Sequence, residues 1–220
     1  LMVPRSMGQQ IRQGGAMDNL SFSHREFIAD IDTVDGQEIT KYEVNPARHG
    51  SFPWLASIAN QFESYMWIKL TYMYVPVVGS NTDGAVALAP DYDAADDNSY
   101  QTKQRLMQFQ DTVRGPVWAP LRLNCSTKNL RKRTTYFTRH GPLNSNLDIK
   151  TYDALALYVM TKGTKEENIG ELWVEYTIKL ETPQLDPEVS VATKSQLRYG
   201  NEDDILKPFL TDLIEDEGDL

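Results

Sequence analysis

Four carboxylates lie within seven residues of one another in this chain of 220 residues. Asp91, Asp93, Asp96 and Asp97 directly follow an alternating run, 84–89, that has the pattern of a β-strand. Like charges held this close repel one another, and the repulsion is relieved by protonation, by solvation or by a bound cation. Calcium takes roughly six to eight oxygen ligands, carboxylates among them, on flexible loops. The segment could therefore bind calcium.

A second explanation of the acidic segment needs no metal. Asp96 and Asp97 precede a helix that is predicted to end near Gln110, and the dipole at a helix N-terminus stabilises carboxylates. An EF-hand is a poor match, because the fifth and twelfth positions of its calcium loop would be Ala95 and Thr102. Spacing alone leaves the metal-binding loop and the acidic helix start both open.

Five cations lie within twelve residues further along the chain, with no acid among them. They are Lys128, Arg131, Lys132, Arg133 and Arg139. The segment could contact nucleic-acid phosphates in a salt-sensitive, sequence-independent way. It could also be an edge strand whose positive charge opposes aggregation, or it could pair across a subunit interface. The residues leave these three interpretations open.

The sequence carries no recognisable catalytic motif. His24, His49 and His140 fall in separate segments, and neither a Gly-x-Ser-x-Gly elbow nor a phosphate-binding glycine loop is present. Cys125 is the single cysteine, which excludes an intrachain disulfide and a cysteine-based zinc site. No apolar run reaches the roughly 18 residues that span a bilayer. We therefore predict no catalytic residues, no enzyme activity and no membrane partner.

Eight segments have the composition and alternation of β-strands. They are 26–31, 38–44, 66–78, 85–89, 117–124, 134–138, 153–161 and 170–181. Two short helices are predicted. One runs from Ser51 or Pro53 to Glu63, with Ser51 as its N-cap, and the other begins at Asn98 or Ser99. Neither a βαβ rhythm nor an internal repeat is present. The predicted fold class is all-β: an eight-stranded antiparallel jelly-roll β-sandwich with two short helices.

The two ends of the chain differ in composition from its middle. Residues 1–20 are rich in Gln and Gly, and we predict a flexible arm or linker remnant there; a start at Leu1 indicates that something lies upstream or was removed. Residues 21–185 are predicted to form the jelly-roll domain, and 186–220 an acidic extension. The last 19 residues hold eight acids against Lys207, so they carry −7 of the net charge of −9. The acidic balance therefore does not exclude a nucleic-acid-facing surface on the body.

Eight short motifs follow one another between about Ser21 and Gln184. They are Ser23-His24-Arg25-Glu26, Asn45-Pro46, Phe52-Pro53-Trp54-Leu55-Ala56 with Ala59 and Phe62-Glu63, Tyr74-Val75-Pro76, Asp91-x-Asp93-x-x-Asp96, Val117-Trp118, Gly170-Glu171-Leu172-Trp173-Val174-Glu175-Tyr176 and Pro183-Gln184. Together they resemble the shell domain of small icosahedral RNA-virus coat proteins of the tombusvirus and sobemovirus type. Each motif alone is weak, but eight in the family's order are specific.

The resemblance implies a structural protein of the virion, assembled in the host cytoplasm. Copies of its jelly roll would form a closed shell, expected to be of T=3 type, around the RNA genome. Ca²⁺ would lie between neighbouring subunits, with Asp91, Asp93 and Asp96 as the ligands from one chain and further ligands from the next. A basic N-terminal arm would contact the RNA, but only scattered arginines precede the shell here. The basic segment 128–139 is then the expected RNA-facing surface.

An alternative from another functional class is a calcium-dependent carbohydrate-binding jelly roll. It would act as a small oligomer and would carry an exposed aromatic side chain beside the acidic segment. An enzyme of the cupin type is a weaker match, because the clustered histidine ligands that it needs are missing.

Overall fold

A computed structural model describes residues 19–96 and 102–184, and the statements below refer to those residues. The strands are β1 (Asn19–Thr33), β2 (Gly36–Glu43), β3 (Phe62–Pro76), β4 (Ala85–Asp91), β5 (Val113–Pro116), β6 (Leu121–Asn124), β7 (Tyr136–Phe137), β8 (Ala156–Gly163) and β9 (Glu167–Pro183). The helices are α1 (Leu55–Ala59), α2 (Lys103–Leu106) and α3 (Thr127–Leu130), with a 3-10 turn at Ile149–Thr151. None of the described helices has the length and apolar character needed to cross a membrane.

The strands form two antiparallel sheets that pack face to face. The first sheet has the order β1-β9-β3-β6, with β7 paired to β3, and the second has the order β2-β8-β4-β5. The chain crosses repeatedly between the sheets, so neighbours in space are distant in sequence: β1 pairs with β9, and β2 with β8. This strand order is that of a jelly roll. The predicted all-β antiparallel sandwich is confirmed.

The core lies between the two sheets and is built mainly by β3 and β9. Every second residue of β9 from Leu172 to Leu180 is fully buried, as its alternation predicts. In β3 the register with β9 shifts between Trp67 and Lys69. This bulge moves the inward face from odd to even positions, so that Trp67 and Leu70 both point into the core.

The outer face of the second sheet is covered by the segment that follows the acidic residues. Every residue of β4 is buried, because its outward alanines, Ala87 and Ala89, pack with Leu106 of α2 and with Tyr158 of β8. Small side chains on the strand let the covering segment approach closely. The end of β4 and the start of α2 are thereby fixed, and the acidic segment lies between them in sequence.

The first helix is shorter than the sequence predicts, and Ser51 is not its N-cap. Helix α1 begins after Trp54, whose backbone N–H donates to Glu26 Oε2 of β1 at 2.6 Å. Glu26 is buried, and its other oxygen accepts from the Tyr176 hydroxyl at 2.9 Å. A carboxylate from a distant strand thus takes the place of the predicted local cap. The helix ends at Ala59 because β3 already begins at Phe62.

Other predicted boundaries also shift. The strand predicted over 117–124 is shortened to β6: a turn in which Ala119 N–H donates to Pro116 O occupies its start. The preceding strand, β5, belongs to the other sheet. The strand predicted over 134–138 is reduced to β7. The predicted start of the second helix, most of the arm 1–20 and the extension 186–220 lie outside the described residues.

Candidate functional site

Asp91 is the last residue of β4 and is the buried member of the acidic loop, as we name residues 91–96. It is only 6% exposed. Its Oδ1 atom accepts from the backbone N–H of Asp93 at 2.9 Å, whereas its Oδ2 atom is buried without a hydrogen-bond partner. Burial raises the pKa of this carboxyl above its ordinary value. A buried carboxylate oxygen without a donor is the kind of group that a cation satisfies.

Asp93 and Asp96 are each paired with a cation from outside the acidic loop. Asp93 Oδ2 lies 2.8 Å from Lys150 Nζ, and Asp96 Oδ2 lies 2.5 Å from an amino group of Arg105. The Lys150 ammonium is the main reason that the pKa of Asp93 is lowered. Among residues 19–96 and 102–184, no three acidic, histidine or cysteine side chains come close enough to hold a metal by themselves. Asp97 lies outside the described residues.

Tyr92 fixes the acidic loop to two other parts of the chain. Its hydroxyl donates to Asp111 Oδ2 at 2.7 Å and accepts from the backbone N–H of Ser126 at 2.7 Å. Its backbone carbonyl accepts from Lys132 Nζ at 2.8 Å. The aromatic side chain within this loop is therefore held by polar contacts at its hydroxyl. This is not the free, exposed ring that the carbohydrate-binding alternative requires.

The cationic partners of the acidic loop were all missed by sequence reasoning. Lys150 is 57 positions from Asp93, and Lys132 is 40 positions from Tyr92. Arg105 is nearer, at nine positions from Asp96, but the segment between them gives no pairing pattern. Only the fold brings these side chains together.

Four of the five predicted RNA-facing cations are exposed. They are Lys128, Arg131, Lys132 and Arg133, on α3 and the turn after it. Two of these make contacts within the chain: Arg131 Nε donates to Trp67 O at 3.3 Å, and Lys132 contacts the acidic loop. Lys128 and Arg133 lie nearby on the same stretch of surface chain. The first part of the basic segment, residues 128–133, therefore lies beside the acidic loop.

The prediction that Arg139 faces RNA is wrong, because its side chain is buried. Arg139 is 6% exposed and forms a bidentate ion pair with Asp153, with Nε to Oδ1 at 2.8 Å and an amino group to Oδ2 at 2.5 Å. The other amino group donates to Gly141 O at 2.8 Å, and the amino group that binds Asp153 also lies at ion-pair distance, 3.2 Å, from Glu43 Oε2. The guanidinium is thus fully engaged inside the sandwich.

Asn45 completes this buried polar cluster. Its side-chain amide donates to Phe137 O at 3.0 Å, Tyr152 O at 2.9 Å and Asp153 Oδ1 at 3.2 Å. Its carbonyl oxygen accepts from the backbone N–H of Arg139 at 3.1 Å. One side chain therefore connects the end of β2 to the segments on either side of the 140–150 loop. The cluster has a structural role, which sequence reasoning also missed.

The sequence matches the family described as viral coat protein (S domain) over residues 3–185. Among curated proteins it is similar to the capsid protein of Cucumber necrosis virus, with 26% identity over 181 residues, 79% of this chain and 46% of the relative. The capsid protein of Pothos latent virus is 27% identical over 203 residues, 89% of this chain and 50% of the relative. The chain thus spans about half the length of the curated relatives it matches.

Solved virus structures have the same fold. The Cucumber Necrosis Virus structure superposes with a TM-score of 0.68 at 24% identity, over 78% of this chain and 59% of that chain. The Tobacco necrosis virus structure superposes with a TM-score of 0.67 at 17% identity, over 76% of this chain and 98% of that chain. These are jelly-roll capsids, which agrees with the strand order above. The chain belongs to the viral coat protein family and is a shell domain of the tombusvirus-like type.

Proposed function

We propose that this chain is the shell-forming part of a capsid protein. Copies of it would pack edge to edge into a closed icosahedral shell of T=3 type that encloses the RNA genome within the virion. The observation that carries this proposal is the family match over residues 3–185, which includes the whole described sandwich. The role is structural, in keeping with relatives that are named capsid proteins.

The acidic loop is proposed to supply one half of a calcium site between subunits. Asp91, Asp93 and Asp96 offer hard oxygen donors, the kind that calcium prefers. The buried Oδ2 atom of Asp91, which has no hydrogen-bond partner, supports this assignment. Burial of an unpaired carboxylate oxygen is unfavourable, and a bound cation would compensate for the lost hydration. The lack of a complete metal-binding group within the described part of one chain fits a site that needs donors from a neighbour. Calcium would bind carboxylates from two neighbouring subunits and so join them.

Replacing Asp91 by asparagine tests the calcium role. The substitution keeps the Oδ1 acceptor for Asp93 N–H but removes the charge, so we expect assembled protein to bind calcium about tenfold more weakly or worse. Titration calorimetry with calcium chloride measures the affinity. Asp30→Asn is the matched control, because Asp30 is exposed on β1 and loses the same charge. Equal calcium binding by wild type and Asp91→Asn, or no binding by wild type, would reject the site.

The basic segment is proposed to contact RNA through its exposed members only. The proposed RNA contacts are Lys128, Arg131, Lys132 and Arg133, which are exposed. Arg139 is excluded because its side chain is buried. Contacts of this kind are made to phosphate, so they would carry no sequence preference and would weaken with salt. They would supplement an arm upstream of the shell rather than replace it.

A further inference from the structure

The carboxylates of the acidic loop do not face one another unscreened in this chain. Asp93 and Asp96 each have one side-chain cation at ion-pair distance, Lys150 at 2.8 Å and Arg105 at 2.5 Å. Neither cation belongs to the loop: Lys150 lies in the 3-10 turn Ile149–Thr151, and Arg105 lies in α2. Two separate elements thus each direct one positive charge at the loop.

These two ion pairs differ in kind from the buried pair between Arg139 and Asp153. The side chains of Lys150 and Asp93 are 52% and 41% exposed, and those of Arg105 and Asp96 are 38% and 35% exposed. Solvent screens such pairs, and each contributes little to stability. The side chains of the buried pair are 4% and 3% exposed. The pairs at the acidic loop can therefore open without disturbing the core.

Lys150 and Arg105 together carry the same charge as one divalent ion. One calcium ion can therefore replace both cations beside Asp93 and Asp96 without changing the net charge of the acidic loop. Lys132, which contacts the Tyr92 carbonyl, is the same in both cases. The unpartnered oxygen of Asp91 adds a position that neither Lys150 nor Arg105 fills. Next to the loop is a cleft of about 240 Å³ whose lining includes Asp93, Lys150 and Lys132. The Lys150 side chain thus lies at an open surface from which it can withdraw.

We propose that Lys150 and Arg105 are exchangeable counter-ions of the acidic loop. In the calcium-free subunit they neutralise Asp93 and Asp96, while Oδ2 of Asp91 has no partner. When calcium is bound, Lys150 and Arg105 leave their carboxylates and turn to solvent or to a neighbouring subunit. The inference rests on the proposed calcium role of the loop. By competing with calcium for Asp93 and Asp96, these two cations would raise the calcium concentration at which the site is half-filled.

Removing a competing cation is expected to tighten calcium binding. Lys150→Gln or Arg105→Gln should each lower the dissociation constant about two- to fivefold, as expected for loss of an exposed ion pair, and the double variant about tenfold. Titration of assembled protein with calcium chloride at about 0.1 M salt limits the effect of distant charges. Lys162→Gln and Arg114→Gln are matched controls, because both residues are exposed on the second sheet. They should change the constant by less than half as much.

The outcomes separate this inference from the calcium proposal itself. If wild type binds calcium and Asp91→Asn weakens the binding, but Lys150→Gln and Arg105→Gln bind no tighter than the controls, the exchange is rejected and the calcium site stands. Weaker binding by these two variants would also reject the exchange, since the cations would then only support the fold of the loop. Absence of calcium binding in wild type would reject both.

Discussion

Replacing Arg139 by alanine is expected to lower the free energy of unfolding by about 3–5 kcal/mol. The substitution would remove both hydrogen bonds to Asp153 and leave its carboxylate buried with only the amide of Asn45 as a donor. An uncompensated charge inside the sandwich is much more costly than the loss of a surface ion pair. Urea denaturation of unassembled subunits, followed by tryptophan fluorescence, measures the change.

Arg133→Ala is the matched control for this substitution. Arg133 lies in the same basic segment but is exposed, so its removal should change the unfolding free energy by no more than about 0.5 kcal/mol. The paired variant Arg139→Met with Asp153→Leu removes both charges and should recover most of the lost stability. Equal stabilities of Arg139→Ala and Arg133→Ala would contradict the buried role of Arg139. A paired variant no more stable than Arg139→Ala would contradict the electrostatic cause.

Replacing Trp67 by alanine is expected to cost about 3–5 kcal/mol of unfolding free energy. Trp67 is fully buried, and its ring lies 5.2 Å from that of Phe52, 5.5 Å from Tyr65 and 5.8 Å from Tyr176. The cavity left by the indole would remove contacts to all three rings at once. Trp118→Ala is the control, since Trp118 is 44% exposed and its loss should cost far less. Urea denaturation midpoints at constant slope measure both.

A more conservative variant separates packing from hydrogen bonding at this position. The Nε1 atom of Trp67 is buried without a hydrogen-bond partner, so Trp67→Phe removes an unsatisfied donor together with part of the ring. We expect Trp67→Phe to lose less than half the free energy that Trp67→Ala loses. Similar losses in the two variants would contradict this expectation.

The elements with strong periodicity were predictable from sequence, and those determined by distant contacts were not. β9 was found because its alternating apolar residues all face the core. β4 was found as a strand, but burial of both its faces depends on α2, which the sequence does not place there. The N-cap of α1 was missed because the group that accepts its N–H is Glu26, which lies 28 positions earlier.

The candidate site was predictable only as far as local spacing determines it. The carboxylates of the acidic loop are close in sequence, but among the described residues no three of them come together closely enough to hold a metal. Their partners Lys150 and Arg105 come from other elements, so no local pattern indicates them. Arg139 was grouped with its basic neighbours because charge density along the chain does not show which side chain turns inward. Its partner Asp153 lies 14 positions away, across an irregular loop.

Electron microscopy of the purified protein, first with calcium and then after a chelator is added, tests the central claim that this chain forms a calcium-linked shell. We predict closed particles of uniform size with calcium, and swelling or dissociation of those particles after chelation, with RNA in the closed particles detected by ultraviolet absorbance. Small oligomers under both conditions would contradict the capsid function. Closed particles that are unaffected by chelation would contradict the calcium link and leave the shell in place.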